Sequence, residues 1–172
     1  ETLANAGRLK DAIGVAIQIE DGPYYARAQQ RIKIWSQRIV ELATEHYVSS
    51  SAELAISLRM LRVIPPDTPL YETSQALMLR WQQEWSDNAY YSKVSRLALD
   101  SHELSQARAA ALQISRHAAW SIQRSELMLE IDAAEQSLNK LVQVAEQHLV
   151  ANRLQAAAES AHALPDIAPW QS

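Results

Sequence analysis

Four side chains return together at one fixed distance along this chain. Pro23, Tyr25, Gln29 and Trp35 are matched by Pro69, Tyr71, Gln75 and Trp81, each 46 positions on. A second echo lies at 145 positions, where Ala6-Gly7-Arg8-Leu9 meets Ala151-Asn152-Arg153-Leu154. In the same register Ala12 meets Ala157, Ala16 meets Ala161 and Ile19 meets Leu164. Self-similarity at long, regular periods marks chains built from units that bury their apolar faces on one another. Three capping-box patterns fall at similar intervals: Ser50-x-x-Glu53, Asp100-x-x-Glu103 and Asn152-x-x-Gln155. Gly7 and Asn152 are the residue types that best tolerate positive φ, as a turn between helices often requires.

The element type follows from what is missing. Only 3 Gly and 6 Pro occur in 172 residues, and Ala, Leu, Gln, Glu and Arg recur throughout, so long stretches consist of good helix formers without breakers. Ile32, Trp35, Ile39 and Leu42 follow helical spacing, as do Ile131, Ala134, Leu138, Leu141 and Ala145. The patterns predict short helices over 4–20, 51–64, 101–117 and 152–164, and long ones over 23–47, 69–98 and 118–149. The Glu20–Pro23, Ser49–Ser51 and Ile64–Pro69 segments supply the breaks, with Pro23 and Pro69 suited to a first helical turn. The last long helix but one is a candidate to break again near Ser86-Asp87-Asn88.

The expected fold is therefore all-α: about seven helices in tandem antiparallel hairpins stacked as an α-solenoid, with a compact helical bundle as the alternative. The chain reads as one helical-repeat domain over 1–172, in repeats of 4–48, 50–99, 100–150 and a partial 151–172. It opens on Glu1 rather than Met and is expected to be a piece of a longer protein.

Composition narrows the function. The formal net charge is -4. The first 96 residues balance 11 basic against 11 acidic side chains and the remainder is acidic, so no strongly basic domain advertises nucleic acid. No cysteine is present, which removes disulfides, thiolate metal sites and a cysteine nucleophile. No apolar run approaches the roughly 18 residues of a spanning helix, so membrane contact is not expected through this segment.

The segment Ala6-Gly7-Arg8-Leu9-Lys10-Asp11-Ala12-Ile13, with Ala16 and then Pro23, resembles the second half of a tetratricopeptide repeat. Residues 151–169 look similar, with Asn152 in the glycine position. The unit here is nearer 50 residues than that family's 34, and the middle repeats lack the glycine. The element Pro-x-Tyr-x-x-x-Gln-x-x-x-x-x-Trp looks like Trp- and Gln-rich helical repeats in large proteins of photosynthetic bacteria, some of them membrane-anchored. The resemblance implies a scaffold and transfers no catalytic residue.

Candidate chemistry is thin. None of His46, His102, His117, His148 and His162 has a glutamate three residues earlier, as a di-iron bundle needs. His102-Glu103 begins a zincin-like string, but the second histidine is absent. The chain has neither a Gly-x-Ser-x-Gly elbow nor a phosphate-binding glycine loop. The expectation is a non-enzyme with no metal, no cofactor and no small-molecule substrate, acting as a scaffold or protein–protein interaction module. Trp85, Tyr90 and Tyr91 are the aromatic candidates for partner contact, and Arg27, Arg31 and Arg38 form a basic stripe on one helix. Self-association is one alternative. Nucleic-acid binding through that stripe, with Trp35 close by in sequence, is the other.

Overall fold

A computed structural model describes residues 1–49 and 54–164. Among them the chain forms eight helices: α1 (Thr2–Asn5), α2 (Leu9–Ile17), α3 (Tyr25–Ser49), α4 (Leu54–Leu61), α5 (Tyr71–Asp100), α6 (Leu104–Gln113), α7 (Ala118–Val150) and α8 (Leu154–His162). The all-α expectation holds. The count is eight rather than seven because the segment expected as one helix over 4–20 breaks at Gly7, whose φ of +75° no right-handed helix accommodates. α5 runs unbroken through Ser86-Asp87-Asn88, where a break was expected.

One turn is built three times. After α1 the Gly7 N–H donates to the Ala4 carbonyl at 3.0 Å and the Arg8 N–H to Leu3 at 2.9 Å. After α5 the His102 N–H donates to Leu99 at 3.0 Å and Glu103 to Ala98 at 2.8 Å. After α7 the Asn152 N–H donates to Leu149 at 2.9 Å and Arg153 to His148 at 2.8 Å. Each set is a Schellman motif, closing the last carbonyls of a helix around one left-handed residue. Those residues are Gly7, His102 and Asn152, with φ of +75°, +59° and +55°. Asparagine and histidine are among the few L-residues enriched in that region. His102 is thus the turn residue of a middle hairpin that lacks a glycine.

The residue after each left-handed one is the N-cap of the next helix, and Arg8, Glu103 and Arg153 share nearly one backbone conformation there. None makes a side-chain cap. The expected capping boxes at Asp100 and Asn152 are therefore absent, since Asp100 ends α5 and Asn152 is the turn itself. The box at Ser50–Glu53 lies outside the described residues, as does Trp170.

The four short helices repeat more closely than their residues suggest. Each begins with leucine, at 9, 54, 104 and 154. Three residues on, each buries a small side chain: Ala12, Ser57, Ala107 and Ala157. Each is followed by Ile19, Ile64, Ile114 or Leu164, whose N–H returns to the carbonyl three residues back. A small buried residue lets a neighbouring helix approach closely, and the terminal aliphatic closes the hairpin's core.

The chain divides into two compact units, Glu1–Ser86 with 117–119 and Asp87–Arg116 with 120–172. In the first, α1 packs on α2, α2 on α3 and α3 on α4. Its core gathers Ile13, Ile32, Ile39, Tyr47, Leu61 and Trp81. The buried face of α3 is rotated slightly from the expected stripe, with Ser36 and Ala43 fully inside while Trp35 and Leu42 are only partly covered. Tyr47 stacks on Trp81, ring centroids 4.4 Å apart and planes within 14°. His46 Nδ1 is hydrogen-bonded to Ser57 Oγ at 2.9 Å, tying α3 to α4.

The second unit has a smaller apolar core of Ala98, Ala107, Ala111, Ile114, Leu127 and Ile131. Buried Ser95 donates to the Ala107 carbonyl at 2.9 Å, joining α5 to α6. Asn88 turns inward, donating to Ser115 Oγ at 3.1 Å and accepting from the Ser115 N–H at 2.7 Å. Arg108 clasps Asp132 at 2.6 Å and Glu135 at 2.8 Å.

Candidate functional site

An apolar hollow that also gathers charge lies on α2 and α3, with a volume near 370 Å³. Helical spacing builds its floor: Ala12, Val15 and Ala16 come from α2, Ile19 follows just past its end, and Ala28 and Trp35 come from α3. Small alanines at the contact keep the two helices close, and the larger side chains beside them leave a trough. Tyr24, Arg27 and Arg31 form one wall, while Glu1 and Leu3 approach from the α1 end. Val15 and Tyr24 are 56% and 67% exposed, unusual values for apolar and aromatic side chains gathered at one place.

The electrostatics centre on one carboxylate. Glu1 accepts from Arg27 at 3.0 Å, and its same oxygen lies 3.0 Å from Arg31. The Arg27 hydrogen bond, then the charges of Arg27 and Arg31, hold the Glu1 carboxyl below its ordinary 4.5. Two guanidiniums share one acid, which leaves the trough positive. A fork of this kind recognises carboxylates through charge-assisted bonds.

The expected stripe of three arginines divides between two surfaces. Arg27 and Arg31 meet at Glu1, whereas Arg38 lines a second hollow of about 460 Å³ with Leu9, Ile34 and Glu41. Arg38 pairs there with Glu41 at 3.2 Å and with Glu45 at 3.6 Å. Trp35 stands between the hollows and contributes to both.

The expected aromatic cluster also separates. Trp85 is partly buried against the core of the first unit, and Tyr91 against that of the second. Tyr90, 62% exposed, touches Tyr91 edge-on with centroids 5.4 Å apart. A further hollow of about 490 Å³ has Ser92, Lys93, Arg96, Trp120 and Gln123 on its walls. Its Arg96 is engaged by Glu130 and its Ser92 by Gln123.

Sequence reading missed the floor of the α2–α3 trough. Val15, Ile19 and Tyr24 carried a usable signal, since apolar residues flanking the Gly22-Pro23 break sit at a hairpin end where little can cover them. Glu1 as the acid between two arginines had no signal in spacing, being 26 residues from Arg27. Among the described residues no group of three His, Cys, Asp or Glu is placed to hold a metal ion, and no helix is long and apolar enough to cross a membrane. Compared with protein-family models, with curated proteins and with solved structures, the chain matches none.

Proposed function

We propose that this chain is a non-enzymatic protein-interaction module of tandem helical hairpins, tetratricopeptide-like and of the α-solenoid kind, with the α2–α3 trough as its working surface. The observation that carries this reading is the Glu1 carboxylate held between Arg27 and Arg31 above an apolar floor. Buried apolar anchors with a flanking guanidinium are the usual currency of protein recognition. The tandem arrangement, in preference to a bundle, draws support from packing between sequence neighbours, α1 on α2, α2 on α3 and α3 on α4, and from the threefold recurrence of one turn.

A photo-crosslinking residue at Val15 tests the reading, with the exposed Leu79 as control position. In cells that make the protein, Val15 should capture a defined protein that Leu79 does not, and nuclease should leave the product intact. Equal products at both positions, or nuclease-sensitive ones, would overturn it. Self-association is the second reading. It is favoured by apolar side chains left open at the last hairpin, among them Leu149, Val150 and Leu154, with Val150 89% exposed. Sedimentation velocity across a hundredfold concentration range distinguishes the two, because only self-association makes the mass rise.

A further inference from the structure

Both units reach from one long helix to the next, with different side chains at the point of contact. His46 of α3 is bonded to Ser57 of α4, and the next residue, Tyr47, lies on Trp81 of α5. Ser95 of α5 is bonded to the Ala107 carbonyl of α6, and the next residue, Arg96, pairs with Glu130 of α7. In both pairs the partner stands 34 residues further along the chain. The aromatic stack closes its place and leaves Tyr47 buried. Where the arginine stands instead, a hollow of about 490 Å³ is open between α5 and α7. Ala89, Leu97 and Trp120 give it an apolar wall; Lys93 and Arg96 line it with two cations, and no carboxylate does. Arg96 already has Glu130, whereas Lys93 is exposed and, among the described residues, forms no ion pair. Tyr90, Lys93 and Leu97 follow helical spacing on one face of α5, and all three are exposed. Both walls come from helices with a described helix before and after them in the chain.

We infer that the α5–α7 hollow is a docking site of its own. It takes an aliphatic side chain and a neighbouring carboxylate from a segment of a partner protein, the aliphatic group on Leu97 and Trp120 and the carboxylate on Lys93. The inference goes beyond the α2–α3 trough and rests on the interaction reading only in taking the ligand to be protein. Charge complementarity selects the acid. Two cations stand against the single carboxylate of Glu130, and a charge beside apolar walls attracts its opposite more strongly than one in open water. Leu97 and Trp120 select the aliphatic neighbour, since burying it there removes apolar surface from water on both sides. Clefts of about 300–1,000 Å³ are large enough to enclose such a group. A nucleic-acid strand fits less well, because phosphate recognition needs a run of cations. Residues 97–172 carry 5 basic against 9 acidic side chains.

Capped dipeptides are the probe, titrated at millimolar concentration into the full chain with the Trp120 indole N–H followed by NMR. A Leu-Glu dipeptide should shift that signal saturably, and its Leu-Gln counterpart should bind severalfold more weakly. Lys93→Gln, at an exposed position, should weaken the Leu-Glu dipeptide about tenfold. Glu130→Gln removes the acid that holds Arg96 and should strengthen binding severalfold. Absence of a saturable shift, or binding indifferent to both changes, overturns the site. Free isocaproate binding as tightly as the dipeptide would assign the hollow to a small acid and overturn the protein segment. If the dipeptide fails while Val15 still crosslinks a defined protein, the interaction reading stands and only this second site is lost.

Discussion

The two units hold the same hairpin turn together with different chemistry. The first encloses large side chains, Ile13, Ile32, Leu61 and Ile64 fully buried and Tyr47 stacked on Trp81. The second sets Ala98, Ala107 and Ala111 around Ile114, Leu127 and Ile131 and adds polar ties between helices: Ser95 to a carbonyl of α6, Asn88 to Ser115, Gln123 to Ser92. Apolar burial is non-directional and scales with area. A buried polar network specifies geometry but costs heavily when one member is removed. The same backbone plan is thus held mainly by apolar area in the first unit and by a smaller apolar core together with satisfied hydrogen bonds in the second.

Trp81→Ala should break the first unit hardest. Loss of a fully enclosed indole costs about 3–5 kcal/mol, read as a fall in unfolding free energy by urea titration. Asn88→Ala acts on the second unit by another route, because the Ser115 N–H and hydroxyl lose their partner. The expected loss is roughly 1–3 kcal/mol, and Asn88→Leu should not restore it. If Asn88→Ala proved neutral, the contrast between area and network would fail.

The shared turn is probed by opposite substitutions. Gly7 has open space around the position of a side chain, so Gly7→Ala meets no clash and pays only for its positive φ, about 1 kcal/mol. His102→Gly should relieve the same strain and raise stability by up to about 1 kcal/mol, with both changes measured as shifts in urea midpoint.

The smallest effect sits at Glu1. Its carboxyl is held low by Arg27 and Arg31, so the pairing is complete above the ordinary carboxylate range and is lost as pH falls through the lowered value. A carboxyl carbon-13 titration should give a midpoint below 4.5, and Arg27→Ala should move it upward.

Much of this was legible in the sequence. The match between 6–9 and 151–154, with residue types that tolerate positive φ, pointed to the first and last turns, although the helix expected over 4–20 ran through Gly7 and Asn152 was also read as a cap. The middle hairpin was harder because it keeps positions and changes residues. His102 replaces Gly7, and Arg108 stands where Ile13 and Leu58 are buried, held instead by Asp132 and Glu135. The suspected break at Ser86-Asp87-Asn88 arose because those residues read as solvent-facing or turn-forming. Asn88 is instead an inward-facing hydrogen-bonding group, and the buried face of α5 runs on through Ser92, Ser95 and Ala98 with little apolar contrast. The trough was hidden because its acid is 26 positions from the arginine that binds it.

The claim beneath the whole account is that one left-handed turn recurs before three of the short helices, joining α1 to α2, α5 to α6 and α7 to α8. Backbone φ at Gly7, His102 and Asn152, measured in solution from three-bond amide–Hα couplings and chemical shifts, tests it directly. Positive φ at all three positions is the predicted result. A helical, negative φ at His102 or Asn152, with α5 running on into α6 or α7 into α8, would contradict it.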